Sequence, residues 1–184
     1  CPQVLALWWP RFLRVAEWTV GQEETVRPGI REILAEVKGD LVIEVPEGPF
    51  RLTARADRLE LHADGSVVIV DYKTGQPPSK KDMELGIAPQ LALEGAILQG
   101  GGFAGMGPER SPLADLQFWQ LSGNEKGGKV ETRSTELVEE ALKGLDALIR
   151  HYDQAGTAYP AAYRPPTARS GDYDHLARLG EWPN

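Results

Sequence analysis

Apolar positions along the chain recur at helical spacing in some stretches and at strand spacing in others, and the changes of period mark the elements. Trp8-Trp9-Pro10 opens a helix with proline in its first turn, and Trp8, Phe12, Val15 and Ala16 form one apolar stripe. Leu13, Glu17, Val20 and Glu24 line a different face, which leaves both glutamates free to look toward a cleft. Pro28-Gly29 ends this helix, and residues 30–37 carry the spacing of a short second one. Residues 41–45 read as a first strand, closed by Pro46 and Gly48. Residues 50–62 and 66–73 are rich in Leu, Val, Ile and Thr and lie on either side of Asp64-Gly65, so they predict an antiparallel hairpin. Val67, Val68, Ile69 and Val70 form a continuous apolar run, the mark of a central strand buried on both faces.

Residues 74–79, with Gly75, Pro77 and Pro78, make a stiff loop. Pro89 starts a helix carrying Leu91, Ala92, Leu93, Ala96, Ile97 and Leu98, and Gly100-Gly101-Gly102 ends it. Residues 113–121 predict a fourth strand. A long helix beginning near Ser134 or Thr135 buries Leu137, Val138, Ala141, Leu142, Leu145, Leu148, Ile149 and Tyr152. The order is helix, three strands, helix, strand, helix, which predicts an α/β fold. Because the helix from Pro89 joins the third strand to the fourth, those two strands are expected to run parallel in a mixed sheet. The core is expected over residues 1–154, with the aperiodic residues 155–184 packing on it as part of the same domain.

The hairpin register decides what chemistry the two strands can do. With a two-residue Asp64-Gly65 loop, Asp57 would face Tyr72, and Asp57 and Asp71 would point to opposite sides of the sheet. With a three-residue Ala63-Asp64-Gly65 loop, Gly65 taking the left-handed position, Asp57 falls opposite Asp71 and Lys73 follows on the same face. The apolar phase of the second strand favours the latter. Phe50, Leu52, Ala54 and Ala56 are of one parity and Leu59 and Leu61 of the other, as if a bulge lay at Asp57. Two adjacent carboxylates repel unless a cation or a shared proton offsets them, and an all-oxygen site without His or Cys favours magnesium, or manganese in its place, over zinc. The alternative is an exposed hairpin in which Asp57 simply pairs with Arg55 or Arg58.

Composition narrows this further. A chain of 184 residues, 41% hydrophobic, is enough for one domain with its own core. No stretch approaches the roughly 20 apolar residues needed to cross a bilayer, and no signal peptide precedes the first helix, so a cytoplasmic protein with no membrane partner is expected. The single cysteine, Cys1, excludes an internal disulfide or a four-cysteine iron–sulfur cluster built from this chain. Cys1-Pro2 stands where an initiator methionine would, which suggests a piece of something longer. A formal charge of −7 opposes non-specific nucleic-acid binding by the overall field, so any such binding must rest on local charge, with Arg51, Arg55, Arg58, Lys80 and Lys81 close to the hairpin in sequence.

An aspartate on the second strand followed by Asp71-Tyr72-Lys73-Thr74-Gly75 at the end of the third, and Gln90 at the start of the next helix, resembles the PD-(D/E)XK nucleases, more closely their RecB-like branch. Trp8-Trp9-Pro10-Arg11-Phe12, Ala54-Arg55-Ala56-Asp57-Arg58 and the stretch from Asp172 to Arg178 resemble the C-terminal nuclease domain of AddB, a subunit of bacterial helicase-nucleases that process DNA double-strand breaks. The resemblance implies a restriction-endonuclease-like core of α-β-β-β-α-β order and a DNA substrate. It further implies association with an AddA-like subunit and with the rest of an AddB-like chain. Residue by residue, it implies that Asp57, Asp71 and the backbone carbonyl of Tyr72 ligate the metal, that Lys73 polarises the attacking water, and that Gln90 orients the site or touches the DNA backbone. The acidic residue expected from the first helix is best matched by Glu17, with Glu24 close behind. In two places the chain departs from that pattern. Glu94 stands where the branch often has tyrosine, and the four cysteines that hold an iron–sulfur cluster in some AddB relatives are missing.

Two functions compete at this stage: a metal-dependent deoxyribonuclease, and a DNA-binding or assembly module that keeps the fold without turnover. His62, His151 and His175 are scattered in sequence and read as surface or locally bonded residues; the five tryptophans read as core and docking residues.

Overall fold

A computed structural model describes residues 2–106 and 111–158, with side chains from Ala6 onward. The elements in chain order are α1 (Pro2–Val26), a 3₁₀ turn (Arg27–Gly29), β1 (Ile30–Ile43), β2 (Phe50–His62), β3 (Val67–Lys73), α2 (Lys80–Glu84), α3 (Gln90–Gln99), β4 (Leu113–Gln120), β5 (Lys129–Arg133) and α4 (Leu137–Tyr152). The strands form one sheet in the order β1-β2-β3-β4-β5. β3 and β4 are parallel, as the intervening helix requires, and the other neighbours are antiparallel. This mixed α/β sheet flanked by helices has the restriction-endonuclease-like arrangement. Among the described residues no helix is long and apolar enough to cross a membrane. The segment beyond residue 158, with Asp172, Asp174 and His175, lies outside the described residues.

Two covers of unequal thickness enclose the sheet. On one face α3 and α4 pack Leu91, Ile97, Leu98, Leu137 and Val138 over Leu59, Leu61, Val67, Ile69, Leu116 and Phe118. On the other, α1 covers a small cluster of Val68, Val70 and Trp119 with Trp18 and Val26, and Trp18 meets Trp119 edge-on. Gly95 is what lets α3 settle onto its neighbours, because a Cβ there would come within 2.6 Å of Val138 and 3.1 Å of Leu113.

Several elements differ from the sequence expectation. Residues 30–37 are the first half of a long β1, not a helix, and that strand ends at Ile43, two residues short of Val45. The helix-like spacing of Leu34 and Val37 has a local cause. Both lie in the α3-side core, as do their partners Leu59 and Ala56, so the phase of β1 and β2 reverses between them. The pairing itself does not slip, since Ala35 faces Arg58 and Val37 faces Ala56. Glu36, between them, has φ 56°, the only positive φ at a non-glycine among the described residues. The expected one-residue bulge in β2 is therefore a matched irregularity across both strands. Pro10 sits inside α1 and not in its first turn, where a proline forgoes one backbone hydrogen bond and crowds the carbonyl of the preceding turn. The short β5 and α2 were not foreseen. β5 is a polar edge strand with little periodicity, and α2 is a five-residue helix closed by a Ser79–Asp82 capping box.

The close approach at Gly95 gives a stability test. Gly95→Ala raises helix propensity, yet the added methyl meets Val138 and Leu113, so urea unfolding should show a net loss of about 1–3 kcal/mol.

Candidate active site

The β2–β3 register is that of the three-residue loop. Leu61 pairs with Val67, Leu59 with Ile69 and Arg58 with Val70, Gly65 has φ 86°, and its N–H donates to the His62 carbonyl at 3.0 Å. Continued by one residue, this register sets Asp57 opposite Asp71. The ladder stops just before that point. Instead of a strand partner, the Tyr72 N–H donates to Asp57 Oδ2 at 3.1 Å, so the carboxylate of β2 closes the gap where the two strands part.

Asp71 ends the buried run of β3 and is itself only 2% exposed. Its Oδ2 lies 2.8 Å from Lys73 Nζ, and its Oδ1 accepts from Lys73 Nζ and from Gln90 Nε2, each at 3.0 Å. Burial pushes the Asp71 carboxyl above the usual aspartate range; Lys73 pulls it down, and the charge of Asp57 pushes it up again. Gln90, the first residue of α3, also donates to Glu94 Oε1 at 3.1 Å. Glu94 is 2% exposed, and burial first, then the Asp71 and Asp57 charges, raise its carboxyl to about 7 against the pull of the Gln90 hydrogen bond and Lys73. Asp57, Asp71, Lys73 and Gln90 are thus brought together, and Glu94 joins them.

The first-helix glutamates are not. Glu17 is exposed on α1, the helix covering the opposite face of the sheet, and Glu24 lines an open cleft on that side with Glu23, Arg27, Ile33 and Arg58. The α1 acid that reaches the sheet is Glu23, which pairs with Arg58. Arg58 also lies 2.7 Å from Glu60, donates to the Tyr72 hydroxyl at 3.2 Å and stacks over Trp119. Burial works against the Arg58 charge, but the bonds to Glu23 and Tyr72 and the charge of Glu60 outweigh it and hold its pKa high. Arg55 pairs with Glu36. Neither arginine takes Asp57 as its ion-pair partner, which removes the surface-charge account of that residue.

A family model for the PD-(D/E)XK nuclease superfamily matches residues 3–169. The chain belongs to this superfamily. An uncharacterised protein of Rickettsia conorii is 39% identical to it over 174 residues, covering 83% of this chain and 20% of that protein. Uncharacterised proteins of Rickettsia felis and Rickettsia bellii are 39% and 36% identical, covering 83% and 82% of this chain and 21% and 19% of theirs. The chain therefore spans about a fifth of the length of the curated relatives it matches. Among solved structures, the crystal structure of SSO0001 is similar with a TM-score of 0.41 and 12% identity, over 71% of this chain and 56% of that one, a likeness too weak to carry an argument.

PD-(D/E)XK nucleases commonly use divalent metals, and the donors present suit one: carboxylate oxygens from Asp57, Asp71 and Glu94, with no histidine or cysteine among them. Among the described residues no three His, Cys, Asp or Glu side chains already converge on one point. Instead the Gln90 amide lies between Asp71 and Glu94, and Lys73 sits on Asp71. Glu94 is the member that sequence reasoning undervalued. The signal was present, an acid one turn after Gln90 in a helix otherwise buried through Leu91, Ala92, Gly95, Ala96, Ile97 and Leu98.

The raised Glu94 pKa fixes the sign of a pH effect. Its protonated form is favoured by folding, so its contribution to stability is full below pH 4.5 and is lost as pH rises through about 7. In chelator, unfolding at pH 5 and pH 8 should therefore show wild type losing on the order of 3 kcal/mol more than Glu94→Gln across that range.

Proposed function

We propose that this domain is a divalent-metal-dependent deoxyribonuclease acting as an exonuclease, the nuclease part of a longer helicase-nuclease that processes DNA double-strand breaks for recombinational repair in the cytoplasm. The observation that carries this is the placement of a buried Asp71 and its neighbour Lys73 at the open end of β3, with the carboxylate of Asp57 and the amide of Gln90 beside them.

In this proposal Asp57, Asp71 and the backbone carbonyl of Tyr72 hold the ion, magnesium or in its place manganese. The bound ion would supply Lewis-acid polarisation of a phosphate oxygen and a lowered pKa for the attacking water. The protein's own groups do the rest. Lys73, a compact charge on a flexible stem, steadies the negative charge growing on the scissile phosphate and orients the water. Gln90, bonded to both Asp71 and Glu94, fixes the carboxylates relative to α3. Water displaces the 3′ oxygen in line and leaves a 5′ phosphate. The similarity of Trp8 to Phe12 and of Ala54 to Arg58 to AddB supports an AddA-like subunit and the remainder of an AddB-like chain as partners, which would hold the DNA that a net charge of −7 does not attract.

One contact favours the second function, a non-catalytic DNA-binding or assembly module. Lys73 Nζ sits directly on Asp71, which neutralises that carboxylate without an ion.

Labelled linear single-stranded DNA, incubated with the chain in magnesium or manganese, separates the two. Wild type is expected to cleave, with Asp71→Asn and Lys73→Ala each slower by on the order of 100-fold or more. Cleavage persisting in both variants would mean that these residues do not do the chemistry. DNA binding with no cleavage by any sample would establish the module.

A further inference from the structure

Glu94 presents a charge problem that its surroundings leave unsolved. Its side chain is almost completely enclosed in a helix whose other buried members are apolar, where an ionised carboxylate costs several kcal/mol unless it is paired. It receives one hydrogen bond, from Gln90 Nε2 to Oε1, while Oε2 has no partner. The same Gln90 nitrogen is bonded to Asp71 Oδ1, so one amide group stands between two buried carboxylates, at 3.0 Å from one and 3.1 Å from the other. Asp57 acts on both through its charge. The cation whose charge reaches both is Lys73, and it is committed to Asp71, within 3.0 Å of each of its oxygens. Two buried carboxylates, with the charge of Asp57 acting on both, therefore share one ammonium group.

A proton on Glu94 would remove one charge but would not by itself give Oε2 a partner. A hard cation lodged between Asp71 and Glu94 would do both. Small divalent ions take carboxylate oxygens at about 2.0–2.2 Å, so two oxygens already meeting at one nitrogen need close by only about 1 Å each to meet at one ion. The swing of a glutamate side chain supplies that movement, and the Gln90 amide is free to turn its carbonyl oxygen, also a hard donor, toward the same point.

We propose that Glu94 is a cation ligand: it and Asp71 share a divalent ion at the place that the Gln90 amide nitrogen marks. This rests on the nuclease proposal above for the metal chemistry of Asp71 and deepens it, because it brings in an acid from α3 where the first helix supplies none. It gives the glutamate that replaces the tyrosine of the RecB-like pattern a task of its own.

Manganese binding to the full chain tests this without reference to cleavage. After removal of metal by chelation, Mn²⁺ is titrated and the free ion followed by electron paramagnetic resonance, for wild type, Glu94→Gln, Glu94→Asp and Asp71→Asn, with thermal unfolding confirming that each is folded. The expected result is Mn²⁺ binding by wild type, weakened at least about tenfold or reduced by one ion in Glu94→Gln, partly restored in Glu94→Asp, and weakened at least as far in Asp71→Asn. A Glu94→Gln titration superimposed on wild type, with Asp71→Asn still impaired, overturns the role of Glu94 and leaves the Asp57–Asp71 site standing. A wild type that binds no Mn²⁺, or binds it as well as Asp71→Asn does, overturns both.

Discussion

The rest of the structure is arranged around a carboxylate held away from water at the end of a central strand. Asp71 follows four apolar residues of β3 that are buried on both faces, and it is buried in turn because α3 and β4 close over it. An unpaired charge in such a place would cost more than any nearby apolar contact returns. Polar groups from three elements are turned to it or to its neighbours: Lys73 from the same strand, Gln90 from the start of α3, and Asp57 from β2, which secures the Tyr72 backbone where the strands part. The polar end of the sheet and the apolar middle are one design, since the same α3 that seals Ile69 and Leu116 delivers Gln90 and Glu94.

The two faces of the sheet divide the charges between them. Beneath α1, Arg58 is enclosed by Glu23, Glu60, the Tyr72 hydroxyl and the Trp119 ring. That cluster ties α1 to the sheet, although the buried Arg58 Nε within it has no hydrogen-bond partner. Above, Lys73 is held by Asp71, and an oxygen of Glu94 has no partner. Both clusters grow from adjacent residues of β2 and β3. Alternation along a strand sends Asp71 and Lys73 to one side and Tyr72 to the other.

Much of this was legible in the residues. The hairpin, its three-residue loop with left-handed Gly65, and the coincidence of Asp57, Asp71 and Lys73 follow from local rules of turn chemistry and two-residue alternation, which need no distant partner. The parallel β3–β4 pair follows from the helix between them. What the residues misled on was set at longer range. Residues 30–37 have helical spacing, yet they pair with β2 because a thirteen-residue strand was available as a template, and the backbone turn at Glu36 reconciles the spacing with the sheet. Glu17 carries the acid that the family pattern leads one to expect, but which face of the sheet α1 covers is fixed by Trp18, Val26 and Trp119, residues far apart in sequence.

The sequence by itself therefore determined that two aspartates and a lysine meet at one end of the sheet, through the hairpin loop and the strand period, while Gln90 was legible only through the resemblance to the nuclease pattern. Tertiary structure alone decided which further acid is buried beside them. Whether a glutamate lies in water or in the core depends on what packs over it, and that is settled by elements tens of residues away. Glu17 is left in solvent by α1, whereas Glu94 is enclosed by the packing of α3 onto the sheet.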